Sequence, residues 1–132
     1  MSSSRKKKIL VVEDELGIAS ICCKSLTPEG YQVDTAGNGA IAETMLRKES
    51  YELLIIDVRT PVMNGQQFYQ LIKERYPHLT DRVIFTSGDV ASNDTQDFLD
   101  HSGQPFLLKP FTPDELKGLV RKTLGQKHQP TK

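Results

Sequence analysis

Short runs of apolar residues, many of them β-branched, alternate along the chain with stretches in which apolar residues recur at helical spacing. Continuous apolar runs of this length are typical of strands that are buried on both faces, as in parallel sheets. The helical stretches would supply the layers that cover those faces. The predicted strands lie at residues 9–12, 31–35, 53–57, 83–85 and 105–108, and the predicted helices begin near residues 16, 39, 65, 93 and 112.

Five strands that alternate with five helices predict an α/β fold with a parallel sheet covered on both faces. The first and third strands have the most continuous apolar runs, which favours a flavodoxin-like (βα)5 three-layer sandwich of strand order 2-1-3-4-5. The 132 residues are enough for one domain. We expect a polar lead-in at residues 1–8, one folded domain at 9–124 and a disordered polar tail at 125–132.

The most apolar strand ends on a carboxylate. The run Leu53–Ile56 is followed at once by Asp57, and Pro61 and Gly65 then interrupt regular structure. Open α/β sheets bind their ligands at the carboxyl ends of their strands, where this acid would lie. An Asp here could instead cap a helix, but the next helix begins near Gly65, too far along the chain. Asp57 is therefore the candidate reactive group.

Polar residues also follow the other strands that should line this edge, and parallel strands bring their carboxyl ends together. Carboxylates placed close together repel one another unless a cation joins them, and an all-oxygen set suits Mg²⁺ better than zinc. With a lysine and a hydroxyl, such a set is equipped for phosphoryl transfer to an aspartate. Helix caps and surface salt bridges would explain each residue singly but not their common location. The residues are Glu13, Asp14, Asp57, Thr86 or Ser87, and Lys109.

Composition narrows the class of protein further. The charges of the 17 basic and 17 acidic residues cancel. The sequence has no basic patch with interleaved aromatic residues, so nothing in it favours binding to nucleic acid. No apolar run approaches the roughly 20 residues of a membrane-spanning helix, and no apolar signal region begins the chain, so a cytoplasmic location is expected by default. Cys22 and Cys23 are adjacent on a helical pattern, which predicts reduced, half-buried thiols rather than a disulfide or metal site.

Four motifs, taken together and in this order, resemble the receiver domain of two-component response regulators from Lys6 to about Leu124. Each is weak alone, whereas the set at these intervals is specific. The resemblance implies a phosphoprotein that receives a phosphoryl group from a histidine kinase or a histidine phosphotransfer protein. It implies no enzymatic activity on a diffusible substrate. The motifs are Val11–Glu15, Ile55–Asp57 with Pro61 and Gly65, Thr86–Gly88, and Leu107–Phe111.

The resemblance also implies roles for the residues at the predicted edge. Asp57 would be the phosphoacceptor, with Mg²⁺ as the cofactor and Mn²⁺ as an alternative ion. Asp14 and Asp57 would bind the metal directly, Glu13 through water, and Arg59 through its backbone carbonyl. Lys109 would pair with the phosphoryl group, and its peptide bond to Pro110 is expected to be cis.

The switch hydroxyl is assigned by the same resemblance. Receivers carry Thr or Ser followed by a small residue, so Ser87, which precedes Gly88, is preferred and Thr86 is the alternative. Phe106 stands at the position of the family's rotating aromatic residue, although a plain core role is equally compatible with its position. Phosphorylation would move Ser87 and Phe106 and change the face made by the fourth helix, fifth strand and fifth helix, which also allows a homodimer.

Two further residues flank the predicted site, and receivers set the lifetime of the phosphoryl group at these positions. A salt bridge between Arg59 and Asp89 could screen the aspartyl phosphate from water; an unchanged dephosphorylation rate in Arg59→Ala would refute this hypothesis. The segment 89–109 also resembles receivers fused at the end of hybrid histidine kinases.

Two other classes of protein share part of this pattern. A pseudo-receiver, acting as a phosphorylation-independent interaction module, usually lacks one of the acids or the lysine, and all are present here. An aspartyl-phosphate phosphatase of the haloacid dehalogenase type needs a second acid two residues after the nucleophile, where this chain has Arg59.

Overall fold

A computed structural model describes residues 6–88 and 93–125. Its sheet is parallel throughout and has the strand order β2-β1-β3-β4-β5, so the predicted fold class is confirmed. Each strand lies where an apolar run predicted one. The strands are β1 (Lys8–Val12), β2 (Gln32–Ala36), β3 (Leu53–Asp57), β4 (Val83–Ser87) and β5 (Phe106–Leu108).

A helix follows each strand and covers one face of the sheet. Two short 3₁₀ turns, Thr27–Glu29 and Pro77–Leu79, follow the first and third helices. Within the described residues, no helix has the length and apolar character needed to cross a membrane. The helices are α1 (Leu16–Leu26), α2 (Gly39–Lys48), α3 (Gly65–Arg75), α4 (Asn93–Ser102) and α5 (Pro113–Gly125).

Alternate residues of the strands build two separate cores. Side chains alternate across a strand, so Leu53 and Ile55 join the core under α1 and α5, whereas Leu54 and Ile56 join the core under α2, α3 and α4. All of β3 is buried. Each buried Leu or Ile contributes about 2 kcal/mol by leaving water, so the central strand is anchored from both sides.

Three helices begin with side-chain caps that the sequence contains. Asn64 accepts a hydrogen bond from the N–H of Gln67 (2.9 Å), and the Gln67 side chain accepts one from the N–H of Asn64 (2.9 Å), a reciprocal capping box. Thr112 and Glu115 form the same arrangement at α5. Asn38 caps α2 by accepting from the N–H of Ile41 (3.0 Å). Residues 38–41 and 64–67 hold the starts of α2 and α3 close to the carboxyl edge of the sheet.

Some predicted faces differ from the observed ones. Helical spacing predicts that Leu16 and Ile21 lie on the buried face of α1 and Ile41 on that of α2. Leu16 is instead 84% exposed, and Ile21 and Ile41 are also exposed. The sheet and α5 cover only a narrow stripe of α1, which Ala19 and Cys22 occupy. Periodicity identifies a helix but does not show how wide its covered stripe is.

The polar exit predicted after β4 is part of the strand instead. Thr86 and Ser87 pair with neighbouring strands and are fully buried. Cys22 and Cys23 are free, as predicted, and Cys23 is half-buried. Cys22 is also expected to be half-buried but is fully buried, because it belongs to the core under α1 and α5. Burial raises the pKa of the Cys22 thiol to about 12.

The start of α3 packs so closely on the end of β3 that only glycine fits. A Cβ on Gly65 would lie 2.7 Å from the Cα of Val58 and 2.9 Å from the carbonyl oxygen of Asp57. We expect Gly65→Ala to lower the free energy of unfolding by about 2 kcal/mol, because the backbone must move to relieve the overlap. Urea unfolding followed by circular dichroism measures the change.

Gly118 is the matched control for that substitution. It lies inside α5 and a Cβ there would meet nothing within 4 Å. Gly118→Ala should therefore raise the free energy of unfolding by about 0.5–1 kcal/mol through the higher helix propensity of alanine. Equal effects of the two substitutions would contradict the close packing at Gly65.

Candidate functional site

Backbone hydrogen bonds continue past the strand ends and hold the polar residues at the carboxyl edge. The N–H of Glu13 donates to the carbonyl of Ala36 (2.9 Å), and the N–H of Val58 donates to that of Thr86 (3.0 Å). The N–H of Lys109 donates to the carbonyl of Ser87 (2.9 Å). The acid after β1, the acid that ends β3 and the lysine after β5 are therefore positioned by the sheet itself.

The ammonium group of Lys109 joins three carboxylates. Its Nζ lies 3.0 Å from Oε1 of Glu13, 3.2 Å from Oδ2 of Asp57 and 3.3 Å from Oε1 of Glu15. Glu13 and Asp57 are buried, whereas Glu15 is exposed. The prediction that Glu13, Asp57 and Lys109 lie close together is thus confirmed.

Burial and mutual charge change the ionisation of this cluster. Burial raises the pKa of Glu13 to about 7, opposed by the hydrogen bond from Lys109 and reinforced by the charge of Asp57. Burial alone would lower the pKa of Lys109, but its hydrogen bond to Glu13 and the charges of Asp57 and Glu13 outweigh it and raise this pKa. The lysine is therefore held as a cation, and the acids around it carry unbalanced negative charge.

Three carboxylates can offer oxygen atoms to one ion. One oxygen each from Glu13, Asp14 and Asp57 lies within 4.8 Å of the other two. Mg²⁺ binds oxygens at about 2.1 Å, so oxygens on opposite sides of the ion are about 4.2 Å apart. The spacing and the all-oxygen chemistry both fit Mg²⁺, and the excess negative charge favours a divalent cation.

The loop after β3 is folded against the site. The N–H of Arg59 donates to Oδ1 of Asp57 (3.3 Å), and the hydroxyl of buried Thr60 donates to the carbonyl of Met63 (3.0 Å). The side chain of Arg59 is exposed. Above Asp57 the chain leaves an open cleft of about 300 Å³, large enough for a hydrated ion and a phosphoryl group. The cleft is lined by Asp14, Glu15, Asp57, Arg59, Gly88 and Lys109.

Strand register separates the two candidate hydroxyls. Phe85 of β4 is paired with Phe106 of β5, and both belong to the core on the α4 side. Because side chains alternate, Ser87 lies on that same face, whereas Thr86 lies on the opposite face with Ile84. Ser87 is thus the hydroxyl whose face is shared with the half-buried ring of Phe106.

Three further features of the site are the peptide bond after Lys109, the position of Asp89 and the contact of Glu15. The peptide bond between Lys109 and Pro110 is cis, as the resemblance implied. Asp89 lies outside the described residues. Glu15 contacts Lys109, a contact that the sequence analysis missed. The signal was present, because Glu15 extends the acidic run at the end of the first strand, but the run alone does not show which acids face the lysine.

Comparison with known proteins identifies both a family and a common fold. The family model for the response regulator receiver domain matches residues 9–121. The probable transcriptional regulator ycf27 of Cyanophora paradoxa is 34% identical over 126 residues, which cover 96% of this chain and 52% of that protein. The chain spans about half the length of this relative and of two further ycf27 proteins.

Two solved structures show the same architecture. The response regulator TrrA of Thermotoga maritima, in complex with Mg²⁺–BeF, is 30% identical, with a TM-score of 0.76 over 89% of this chain and 98% of that one. The chemotaxis response regulator CheY4 of Vibrio cholerae is 25% identical, with a TM-score of 0.80 over 90% of this chain and 99% of that one.

These matches identify the class of protein. The chain belongs to the response regulator receiver domain family. It is homologous to the phosphoacceptor domains of two-component signalling, which as a class are generally not enzymes.

The contacts of Lys109 generate a prediction for the metal-free protein. In EDTA, Lys109→Met should lower the free energy of unfolding by about 2 kcal/mol, because Glu13 and Asp57 lose their buried counter-charge. Adding Asp57→Asn to that variant should restore part of the loss. Urea unfolding of the single and double variants measures the coupling.

Lys117→Met is the control, since Lys117 pairs at 3.5 Å with the exposed Asp114. An exposed pair of this kind contributes about 0.5 kcal/mol or less. A Lys109 variant as stable as the Lys117 variant would contradict the structural role assigned to the cluster.

Proposed function

We propose that residues 9–124 form a receiver domain that accepts a phosphoryl group on the Asp57 carboxylate. The donor is a phosphohistidine on a histidine kinase or a histidine phosphotransfer protein. The observation that carries this proposal is the contact between Asp57, at the end of the central strand, and the Lys109 ammonium group at 3.2 Å. The Asp57 carboxylate faces an open cleft and can attack the phosphorus atom of a donor that enters it. The neighbouring Lys109 cation can neutralise negative charge on the phosphoryl group.

The two oxygens of Asp57 have different surroundings. Oδ1 accepts the N–H of Arg59, and Oδ2 lies beside Lys109. An Asp57 oxygen forms the new P–O bond while the P–N bond to the donor histidine breaks, and the electron pair of that bond remains on the imidazole. Lys109 then pairs with a phosphoryl oxygen and holds the product in place.

Mg²⁺ is the proposed cofactor. Asp14 and Asp57 would bind it directly, Glu13 through water and Arg59 through its backbone carbonyl, and Mn²⁺ could use the same oxygens. When bound, the ion would neutralise part of the negative charge on the phosphoryl group that is transferred. The Mg²⁺–BeF complex of TrrA, a relative in the same family, supports this assignment.

The response to phosphorylation is proposed to pass through Ser87 and Phe106, with Thr86 as the alternative hydroxyl. Ser87 would move toward the phosphoryl oxygens, and the ring of Phe106 would turn into the space that it leaves. Their shared face of the sheet supports this choice. The change would alter the surface of α4, β5 and α5, which would bind a partner or a second copy of the chain.

We also propose what sets the lifetime of the aspartyl phosphate and in which kind of protein this domain occurs. Arg59, at the mouth of the cleft, would slow hydrolysis of the aspartyl phosphate, together with Asp89. The chain spans about half the length of its ycf27 relatives, and the resemblance of segment 89–109 to hybrid kinases suggests a kinase-linked receiver as one context. In either context the phosphorylation chemistry is the same.

The first test is covalent phosphorylation with acetyl phosphate and Mg²⁺. The wild type should gain the mass of one phosphoryl group, and Asp57→Asn should not, because the amide is a poor nucleophile. Asp114→Asn, an exposed change on α5, should behave as the wild type. Intact-mass spectrometry reads the result.

Two results of the same assay would contradict the proposed function. Absence of an adduct on folded wild-type protein, both with acetyl phosphate and with a phosphohistidine donor, would overturn it in favour of an interaction module. An adduct on Asp57→Asn would show that another residue is the acceptor.

The second test concerns the metal. Mg²⁺ at about a hundred times its Kd should add about 2.7 kcal/mol to the free energy of unfolding. Asp14→Asn should reduce this gain strongly by removing one carboxylate ligand. Because the chain has no Trp, thermal unfolding by circular dichroism is the suitable measurement. Asp114→Asn again serves as the control, and an equal gain in both variants would refute the assigned site.

A further inference from the structure

Glu15 lies at the rim of the site with a fixed backbone. Its carbonyl accepts the N–H groups of Ile18 (3.1 Å) and Ala19 (3.0 Å) at the start of α1, and its own N–H donates to Oε2 of Glu13 (3.1 Å). Its carboxylate nevertheless extends over the cleft and reaches Nζ of Lys109 at 3.3 Å. Glu15 has no role in the function proposed above.

The contacts of Lys109 are already complete before any phosphoryl group arrives. An ammonium group has three N–H bonds, and three carboxylates lie within 3.3 Å of it. Before transfer, a phosphoryl oxygen of the donor that pairs with Lys109 must therefore take the place of one of them.

Burial decides this competition. The side chains of Glu13 and Asp57 are 2% and 6% exposed, so losing the lysine would leave a buried charge unpaired. The side chain of Glu15 is 62% exposed, so it returns to water at little loss. Glu15 is thus the partner that an incoming anion displaces most easily.

We propose that Glu15 is a positioning residue that occupies Lys109 in the resting site and competes with the phosphoryl group for it. This inference rests on the proposed function, because it assumes transfer to Asp57. Glu15 slows phosphorylation in two ways: it holds the ammonium group that the transferring group needs, and it adds a negative charge to the cleft that an anionic donor enters. When the donor's phosphoryl group pairs with Lys109, Glu15 is released to solvent.

The test compares initial phosphorylation rates with acetyl phosphate at saturating Mg²⁺. Glu15→Gln should phosphorylate about three- to fivefold faster than the wild type, the range that loss of one exposed ion pair permits. The advantage should shrink as salt is raised, because exposed charges are screened.

Two variants separate the contact from general charge. Glu49→Gln is matched to Glu15→Gln, because Glu49 is an exposed acid paired with a lysine, Lys8, at the opposite end of the sheet. It should leave the rate unchanged. Glu15→Asp keeps the charge in the cleft but is one methylene shorter and should not reach Lys109, so it should also phosphorylate faster than the wild type.

The outcomes distinguish this inference from the function on which it rests. Equal rates for wild type and Glu15→Gln, both phosphorylated on Asp57, would overturn the role of Glu15 and leave the receiver function intact. A Glu15→Asp variant at the wild-type rate would overturn competition for Lys109. A rate increase in Glu49→Gln of the same size would assign the effect to net charge, which also overturns it. Failure of every protein, wild type included, to gain a phosphoryl group would instead count against the proposed function.

Discussion

The site depends on the ammonium group of Lys109 among carboxylates that would otherwise repel one another. Asp57 ends a strand that is buried on both faces, and Glu13 lies beside it, so neither acid can move far from the other. Burial and the charge of Asp57 already raise the pKa of Glu13, which shows the strain of placing these charges together. The lysine relieves this repulsion, and a divalent cation with suitable oxygen ligands would relieve it further.

That cluster exists because the sheet is parallel. Parallel strands end at one edge, and the backbone bonds of Glu13, Val58 and Lys109 extend the sheet by one residue beyond the strands. The charged side chains are therefore positioned by backbone hydrogen bonds at and just beyond the strand ends. The close approach at Gly65 adds a second constraint, because the start of α3 is packed against the residue that bears the acid.

Ser87 and Phe106 lie next to a cluster of aromatic rings. Ser87 is buried at the end of β4, and Phe106 lies on the same face of the neighbouring strand. The rings of Tyr69, Phe85 and Phe98 are in edge-to-face contact and connect this region with α3 and α4. This packed cluster therefore joins the face that carries Ser87 and Phe106 to the helices α3 and α4.

The sequence alone determined the fold class, the order of the elements and the acids and lysine at one edge. Strand and helix periods are local properties, and parallel topology follows from their alternation. Only the tertiary structure decided which residues of α1 are covered, that Thr86 and Ser87 lie inside a strand, and that Glu15 reaches Lys109. These depend on helix orientation and on side chains from distant parts of the chain, because an acidic run does not encode which of its members faces a lysine that follows 94 residues later.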